Sequence, residues 1–186
     1  GTISSGATGT ISSTSGDIAL LTDSIDLGAN VSSSGNLSLT PTTSTRSIGL
    51  GGATGGFNLN DTELSFLTNG FNSITIGQLN GKHDIQIDSA TFVDPVTIQA
   101  TGTGAKIAVS ATTGAGLQGN DNASITLKGS HATTTLNADI VTNGNAVLIN
   151  DSVILGTPAT VTIDTTNGGA TATGAHITVV GTINDD

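Results

Sequence analysis

Residues 74–109 read ITIGQLNGKHDIQIDSATFVDPVTIQATGTGAKIAV, and this stretch decides the fold. Triplets of alternating apolar and polar residues begin at Ile74, Ile85, Val96 and Ile107, at a constant step of eleven residues. Alternation over three to five residues is the pattern of a β-strand with one buried face. Gly, Asn and Asp lie between the triplets and supply the backbone angles that sharp turns need. The stretch therefore predicts short strands joined by tight turns.

Similar triplets recur along the whole chain, and some lie about twice as far apart, as from Ile125 to Val147. These intervals are too long for two-residue hairpins and too short for a strand, a crossover helix and a second strand. They suit a coil of roughly 20 residues per turn. We predict an all-β chain that forms one parallel β-solenoid over residues 1–186, with about nine rungs. A β-sandwich is the alternative, but it usually buries a Trp or Tyr and this chain has neither.

Composition narrows the function classes. Aromatic residues make up 2% of the 186 residues and charged residues 10%, whereas a mean hydropathy of +0.15 argues against disorder. The net charge of -10 gives nucleic acid or an anionic membrane surface nothing to pair with. The absence of Cys excludes disulfides, thiol catalysis and cysteine-based zinc sites.

Residues 57–77, FNLNDTELSFLTNGFNSITIG, contain three of the four Phe residues and the only Glu. We predict a short helical insertion near 61–68. Asn60 or Asp61 caps a helix over Thr62 to Leu67, Glu63 lies in its first turn, and Asn69-Gly70 ends it. Four apolar residues then form a plug against the coil, which makes the stretch scaffold rather than an active site: Leu64, Phe66, Leu67 and Phe71.

Carboxylates are the first candidates for chemistry, because parallel β-helices include polysaccharide lyases and hydrolases. Those enzymes need paired carboxylates across a sugar bond, or Asp together with Arg or Lys. No Arg or aromatic platform for a sugar accompanies the pairs present here. We therefore expect no catalytic residues and no enzyme activity, although a polysaccharide-active enzyme remains an alternative. The nearest pairs are Asp23/Asp26, Asp84/Asp88 and Asp61/Glu63.

Metal sites find little support. Gly119 to Asn122 and Asn58 to Asp61 offer oxygen donors but do not match calcium-binding repeat or EF-hand patterns, so both are expected to be turns. His83, His131 and His176 are scattered and are expected at the surface or at corners. We predict no metal and no cofactor.

Lys82, Lys106 and Lys128 lie about one rung apart. Stacked directly, they would form a basic ladder for an anionic glycan, but like charges at strand spacing repel. Offset corners flanked by Asp are therefore expected.

Threonine and asparagine patterns raise two further ideas. Six Thr-x-Thr triplets suggest an ice-binding face, although their irregular spacing opposes a ladder with one triplet per rung: Thr8/Thr10, Thr43/Thr45, Thr101/Thr103, Thr133/Thr135, Thr160/Thr162 and Thr171/Thr173. The five N-x-[ST] sequons support no glycosylation claim, because a chain this rich in Asn, Ser and Thr produces about as many by chance: Asn30, Asn36, Asn60, Asn122 and Asn150.

The chain resembles the repetitive passenger regions of large bacterial surface proteins, of the filamentous-haemagglutinin-like and autotransporter types. The resemblance is carried by Thr62 to Leu64, Gly70-Phe71 and Ile74 to Gly77, and by Asp94-Pro95 in the continuation ATFVDPVTIQA. Outside residues 57–100 it is compositional. It implies a right-handed parallel β-helix, exported to the bacterial cell surface, that serves adhesion, biofilm or a surface filament or layer. It brings no catalytic residues.

The pattern also continues to both ends, in GTISSGATGTISS and TGAHITVVGTINDD, without an obvious cap. We therefore expect a piece of a longer rod whose partners are adjacent solenoid segments or copies of itself stacked end to end. A receptor or glycan on a host or neighbouring cell is the other expected kind of partner, and nucleic acid and membrane insertion are not expected.

Overall fold

A computed structural model describes residues 1–129, 133–156 and 160–185. In these residues 22 short β-strands and one helix follow one another around a parallel β-helix. The strands pair in parallel throughout, which rules out the antiparallel sheets of the alternative sandwich. The stack has three faces, and the chain visits them in a fixed order.

Face 1 is a continuous sheet of seven strands. Its members, in chain order, are β3 (Ile18–Leu21), β6 (Asn36–Thr40), β9 (Ser73–Gln78), β12 (Val96–Ala100), β15 (Ile125–Lys128), β18 (Val147–Asn150) and β21 (Ile177–Val179).

Face 2 holds nine strands, of which seven form one sheet and two form a separate small sheet. They are β1 (Thr2–Ser4), β4 (Ser24–Asp26), β7 (Ile48–Gly51), β8 (Phe57–Leu59), β10 (Asp84–Asp88), β13 (Lys106–Ser110), β16 (Thr133–Leu136), β19 (Val153–Leu155) and β22 (Ile183–Asp185).

Face 3 consists of a two-stranded and a four-stranded sheet. It contains β2 (Ile11–Ser12), β5 (Val31–Ser32), β11 (Ala90–Phe92), β14 (Leu117–Gly119), β17 (Ile140–Thr142) and β20 (Ile163–Asp164). Between β5 and β11 the chain contributes the helix α1 (Asp61–Ser65) and an isolated bridge from Leu67 to Val31.

The eleven-residue step predicts this architecture correctly. Ile74 and Val96 are partners on face 1, whereas Ile85 and Ile107 are partners on face 2, so one step moves the chain between faces and two steps complete a rung. The described residues form seven complete rungs and the first strand of an eighth. This is fewer than the roughly nine rungs expected from the sequence, because long turns and the helical insertion lengthen several rungs. Nine layers are present only on face 2.

The core is a column of aliphatic side chains between the faces. Strands of face 1 alternate buried and partly exposed residues, and those at the centre of the stack, such as Ile76 and Ile98, are 0% exposed. Identical positions of successive strands stack in register, so that Leu39, Ile76 and Ile98 lie one above another. A core this narrow is filled by Val, Ile and Leu, which explains the scarcity of aromatic residues.

Candidate functional site

One irregularity interrupts the stack, and it lies where the sequence predicts the insertion. After β7 the chain passes through Gly52–Gly56 and returns as β8, which pairs with β7 in parallel, Ile48 opposite Phe57. This short connection brings the backbone of Gly49 against that of Gly55, where a Cβ on either residue would collide with the other segment. Face 2 therefore gains one strand that faces 1 and 3 lack.

The extra strand creates a joint between β4 and β8. The two strands lie side by side, but they belong to separate sheets. Their partners are β1 on one side and β7 on the other. Contacts across the joint on face 2 are therefore supplied by side chains.

Arg46 spans the joint at the amino ends of both strands. Its Nε donates to the carbonyl of Asp23, directly before β4, at 2.8 Å, and its Nη2 donates to the carbonyl of Gly56, directly before β8, at 2.8 Å. A guanidinium presents several donors in a fixed planar fork, which suits two carbonyls held at one spacing.

Glu63 spans the same joint at the carboxyl ends. Its Oε1 accepts from the backbone N–H of Leu27, directly after β4, at 2.9 Å, and its Oε2 accepts from the N–H of Asn60, directly after β8, at 3.0 Å. Asn60 in turn caps α1 by accepting from the N–H of Glu63, which completes a capping box. Glu63 is thus a helix-start residue, as the sequence predicts, and also a link between rungs.

The helix is shorter than predicted. It runs from Asp61 to Ser65, with Phe66 as its C-cap, so the segment from Leu67 to Asn69 lies outside it. Tertiary contacts decide this end, because Phe66 and Thr68 hydrogen-bond Val31 of β5 and draw the chain into face 3. The predicted apolar plug is present: Leu64, Leu67 and Phe71 are buried, and Phe66 packs partly buried against the core.

A cleft of ≈ 630 Å³ lies between α1 and β11 on face 3. The helix side contributes Asp61, Leu64, Ser65 and the following Leu67, Thr68 and Asn69, and the strand side contributes Ser89, Thr91, Phe92 and Val93. Its inner surface is apolar and its rim is polar, as in many ligand sites. Asp61 is the one ionisable side chain among these lining residues.

Two carboxylates outside the lining of the cleft hold the turn after α1. The buried side chain of Asp94 accepts from the N–H groups of Gly70 and Phe71, each at 3.1 Å. Burial raises the pKa of the Asp94 carboxyl and the charge of Asp121 adds to this, while the two backbone N–H groups oppose it. Asn69 donates from Nδ2 to Oδ2 of Asp121 at 2.6 Å. These contacts fix the turn after α1.

The members of the nearest carboxylate pairs accept hydrogen bonds from hydroxyl, amide and backbone groups. Asp23 accepts from the N–H and Oγ1 of Thr43, both at 2.7 Å, and these bonds lower its pKa to about 2. Asp88 makes the same pair of contacts with Thr112, at 2.6 and 2.5 Å. Both therefore act as bidentate clamps between turns of adjacent rungs.

The other members of the pairs also make ordinary polar contacts. Asp26 accepts from Ser4 Oγ at 2.9 Å, and Asp84 accepts from Gln86 Nε2 at 2.6 Å. Asp61 is exposed in the first turn of α1, next to Glu63.

Of the two segments weighed for calcium, Gly119 to Asn122 forms the expected turn after β14, whereas Asn58 to Asp61 does not form a turn. Asp121 has a left-handed backbone with φ 50°, its carboxylate is held by Asn69, and its carbonyl accepts from Asn145. Asn58 to Asp61 lead from β8 into the helix. Within the described ranges, no group of three or more His, Asp or Glu side chains is close enough to hold a metal ion.

His83 lies at a corner, between β9 and β10, as one form of the expectation has it, but it is not at the surface. Its side chain is 0% exposed, its Nδ1 lies 2.8 Å from the carbonyl oxygen of Arg46, and its Nε2 has no hydrogen-bond partner. The ring fills the space beside Gly81, where a Cβ would collide with it. Burial lowers the pKa of the His83 imidazole, against the opposing effect of the Arg46 carbonyl. His176 is exposed as expected, and His131 lies outside the described residues.

The lysines do not form a ladder. Lys106 is paired in register with Asp84 on face 2, Lys82 precedes β10, and Lys128 ends β15 on face 1. The three lysines are therefore offset, as the sequence predicts, but Lys106 and Lys128 lie in strands, and the register partners of Lys128 are Gln99 and Asn150 and not Asp.

The Thr-x-Thr triplets do not stack into one ladder either. Thr101 is buried, Thr133 and Thr135 lie on face 2, and Thr43 is held by Asp23. A different column does align: Thr75, Thr97 and Thr126 are register partners on face 1 and are followed by Leu148. Of the sequon residues, Asn150 is half-buried and the other four are exposed.

Sequence reasoning gave no role to Arg46 and did not find the cleft. The one signal in the sequence was that Arg46 is the only Arg, just as Glu63 is the only Glu. The cleft depends on the backward step from β7 to β8, which leaves no pattern in hydrophobicity.

Comparison of the chain with protein-family models, with curated proteins and with solved structures finds no match. The class of protein is therefore defined by the fold alone, as a parallel β-solenoid. In the part of the chain that the structure describes, no helix has the length and apolar character needed to cross a membrane.

Proposed function

We propose that the chain is an extracellular structural or adhesive module of a large repetitive bacterial surface protein, where it continues into adjacent solenoid segments or stacks with copies of itself. The observation that carries the proposal is the apolar surface at the last described rungs. Ile183 is 57% exposed and Ile177 46% exposed, although both continue columns that are buried in preceding rungs.

Next to Ile183, the apolar interior of the last rungs is accessible from outside. A depression of ≈ 170 Å³ is lined by aliphatic side chains from all three faces: Leu136, Ile149, Val153, Leu155, Val161, Ile163, Val179 and Ile183. One more rung would cover it and would remove this apolar area from water, which is favourable in proportion to the area. In solenoids, each repeat is stabilised mainly by its neighbours.

The side chains of the stack favour a structural role over catalysis. Asp23, Asp88 and Glu63, which belong to the carboxylate pairs weighed for catalysis, accept hydrogen bonds from neighbouring rungs. A rod of this kind holds weak binding surfaces away from the cell, and many such contacts add through effective concentration. The polysaccharide-active and ice-binding alternatives have no comparable observation in their favour.

The test is the association state of the purified chain by light scattering coupled to size exclusion, together with electron microscopy. We expect concentration-dependent end-to-end particles, and Ile183→Lys should abolish them because it places a charge on the apolar end. Leu79→Lys is the matched control, because Leu79 is 60% exposed on a lateral turn. A monomer at every concentration, or equal effects of both variants, would contradict stacking of copies. Antibody labelling of intact bacterial cells that express the parent protein tests the surface location.

A further inference from the structure

We propose that the cleft between α1 and β11 is a vacant strand position that binds an extended, basic segment of another polypeptide by adding it to the edge of β11. This goes beyond the proposed function, because it assigns a lateral binding site to one rung whether or not the ends of the rod associate.

The vacancy follows from the number of strands on each face. On face 2, β8 and β7 both lie between β4 and β10. On face 3, the corresponding interval between β5 and β11 contains no strand: it holds the bridge from Val31 to Leu67 and the helix α1, which contacts β11. Neighbouring strands are spaced by about 4.8 Å. Face 3 is therefore one strand short at the level where face 2 has one extra.

The backbone of β11 is oriented to receive such a strand. Ala90 donates its N–H to Gly116 and Phe92 accepts at its carbonyl from Asn120, so both residues direct their backbone groups to the β14 side. Because these groups alternate sides along a parallel strand, the N–H and C=O of Thr91 are directed into the cleft. β11 is the last strand of its sheet on that side. A donor and an acceptor on one strand edge are the elements that β-augmentation uses.

The lining defines the side chains that an added strand would carry. Leu64, Leu67 and Phe92 offer apolar contact on the inner side, and Ser65, Thr68 and Thr91 line the outer part. An extended segment with alternating apolar and polar residues matches this arrangement.

The negative charge at the rim of the cleft favours a basic partner over a second copy of this acidic chain. Asp61 supplies the one formal charge among the lining residues, and Asp121 lies just beyond Asn69. A second copy would bring a further net charge of -10 to this acidic rim. A segment with Lys or Arg at its ends gains from the same rim, and the gain should fall as salt screens it.

The experiment uses the full chain and a synthetic hexapeptide of alternating valine and threonine flanked by lysines. Binding is measured by calorimetry, and the exchange of the Thr91 amide hydrogen is followed by NMR. We expect the peptide to bind and to slow exchange at Thr91. The same peptide flanked by glutamates, or with N-methylated backbone amides, should bind roughly tenfold more weakly or not at all.

Two variants separate the contributions. Thr91→Pro removes the N–H that faces the cleft, at an edge position where proline is tolerated, and should weaken binding roughly tenfold, whereas Thr91→Val should not. Asp61→Asn should reduce the preference for lysine over glutamate flanks, and Asp185→Asn, with the same charge change at an exposed distant site, should not. Circular dichroism checks that each variant is folded.

Several outcomes would overturn the proposal. These are no binding of the lysine-flanked peptide, binding that leaves the Thr91 amide unprotected, or equal affinity of the N-methylated peptide. A dimer that depends on Thr91 in the absence of peptide would identify a second copy as the occupant instead. Protection of Thr91 by an oligosaccharide but not by the peptide would assign the cleft to glycans.

Discussion

Arg46 and Glu63 join the same two strands, β4 and β8, from opposite ends. Arg46 bonds the carbonyl groups that precede β4 and β8, and Glu63 bonds the N–H groups that follow them. The only Arg and the only Glu of the chain thus replace the missing ladder between two neighbouring strands. Charged side chains suit this role because hydrogen bonds to charged groups are stronger than those between neutral groups.

Removal of the Arg46 side chain is expected to loosen the joint. Arg46→Ala loses two charge-assisted hydrogen bonds, and we expect the free energy of unfolding to fall by about 2–4 kcal/mol. Arg46→Lys keeps the charge but cannot reproduce the planar fork, so it should recover only part of the loss. Denaturant unfolding measures the stability, and hydrogen exchange at Leu27 reports locally on the joint. Full stability in Arg46→Ala would show that the joint does not depend on this side chain.

Replacement of Phe71 by Ala is expected to lower the free energy of unfolding by about 3–5 kcal/mol, as for other fully buried Phe residues. Phe71 is 1% exposed, and its backbone N–H is already held by Asp94, so the surrounding turn has little freedom to fill the cavity. Phe66→Ala is the control, because Phe66 is only partly buried and should cost less. An equal loss in both variants, measured by denaturant unfolding, would contradict the assignment of Phe71 as the anchor of the plug.

Acidification is expected to destabilise the protein through His83. Because burial lowers the pKa of His83 in the folded state, the unfolded chain takes up a proton at this residue first, near its ordinary pKa of 6.5. Stability should therefore fall as the pH drops below about 6.5 and should stop falling, for this group, below the folded pKa. His83→Asn keeps a donor near the Arg46 carbonyl but does not titrate. Melting temperatures between pH 7.5 and 5 should decline less steeply in this variant, and parallel curves would refute the role of His83.

The clamp between Asp23 and Thr43 is expected to appear directly in the titration of Asp23. Its pKa of about 2 results first from the backbone N–H of Thr43 and then from the Thr43 hydroxyl, so Thr43→Val should move the pKa part of the way towards 3.8. Because the folded pKa is depressed, the stabilisation is present above pH 3.8 and is lost as the pH falls towards 2. NMR of the carboxyl carbon measures this pKa, and an unchanged value in Thr43→Val would show that the hydroxyl makes no contribution.

The regular part of the fold could be predicted because its physical cause repeats. In every rung, alternate side chains of each strand are buried in the core. The eleven-residue step between Ile74, Ile85 and Val96 therefore shows where the chain returns to the core as it passes from face to face. The cap of α1 could be predicted for a similar reason, since Asn60 and Glu63 are three residues apart and act locally.

The rest depends on contacts between residues far apart in sequence. His83 has no partner nearby in the sequence. In the fold its ring is buried, and its Nδ1 lies against the carbonyl oxygen of Arg46, which is 37 residues away in the chain. Glu63 meets Leu27 across 36 residues, a contact that no local pattern records. The return from β7 to β8 relies on Gly49 and Gly55, yet glycine is common in this chain and these two positions have no distinguishing mark.

The joint between β4 and β8 also has a mechanical consequence. Across this level of the stack, face 1 keeps a full ladder between β6 and β9, face 3 has the single bridge from Val31 to Leu67, and face 2 depends on Arg46 and Glu63. A force that opens the joint on face 2 has to break only a few side-chain hydrogen bonds there, and the backbone ladder of face 1 can stay intact. We therefore expect the rod to bend first at this level, with face 1 as the hinge, and the joint to re-form when the load is removed.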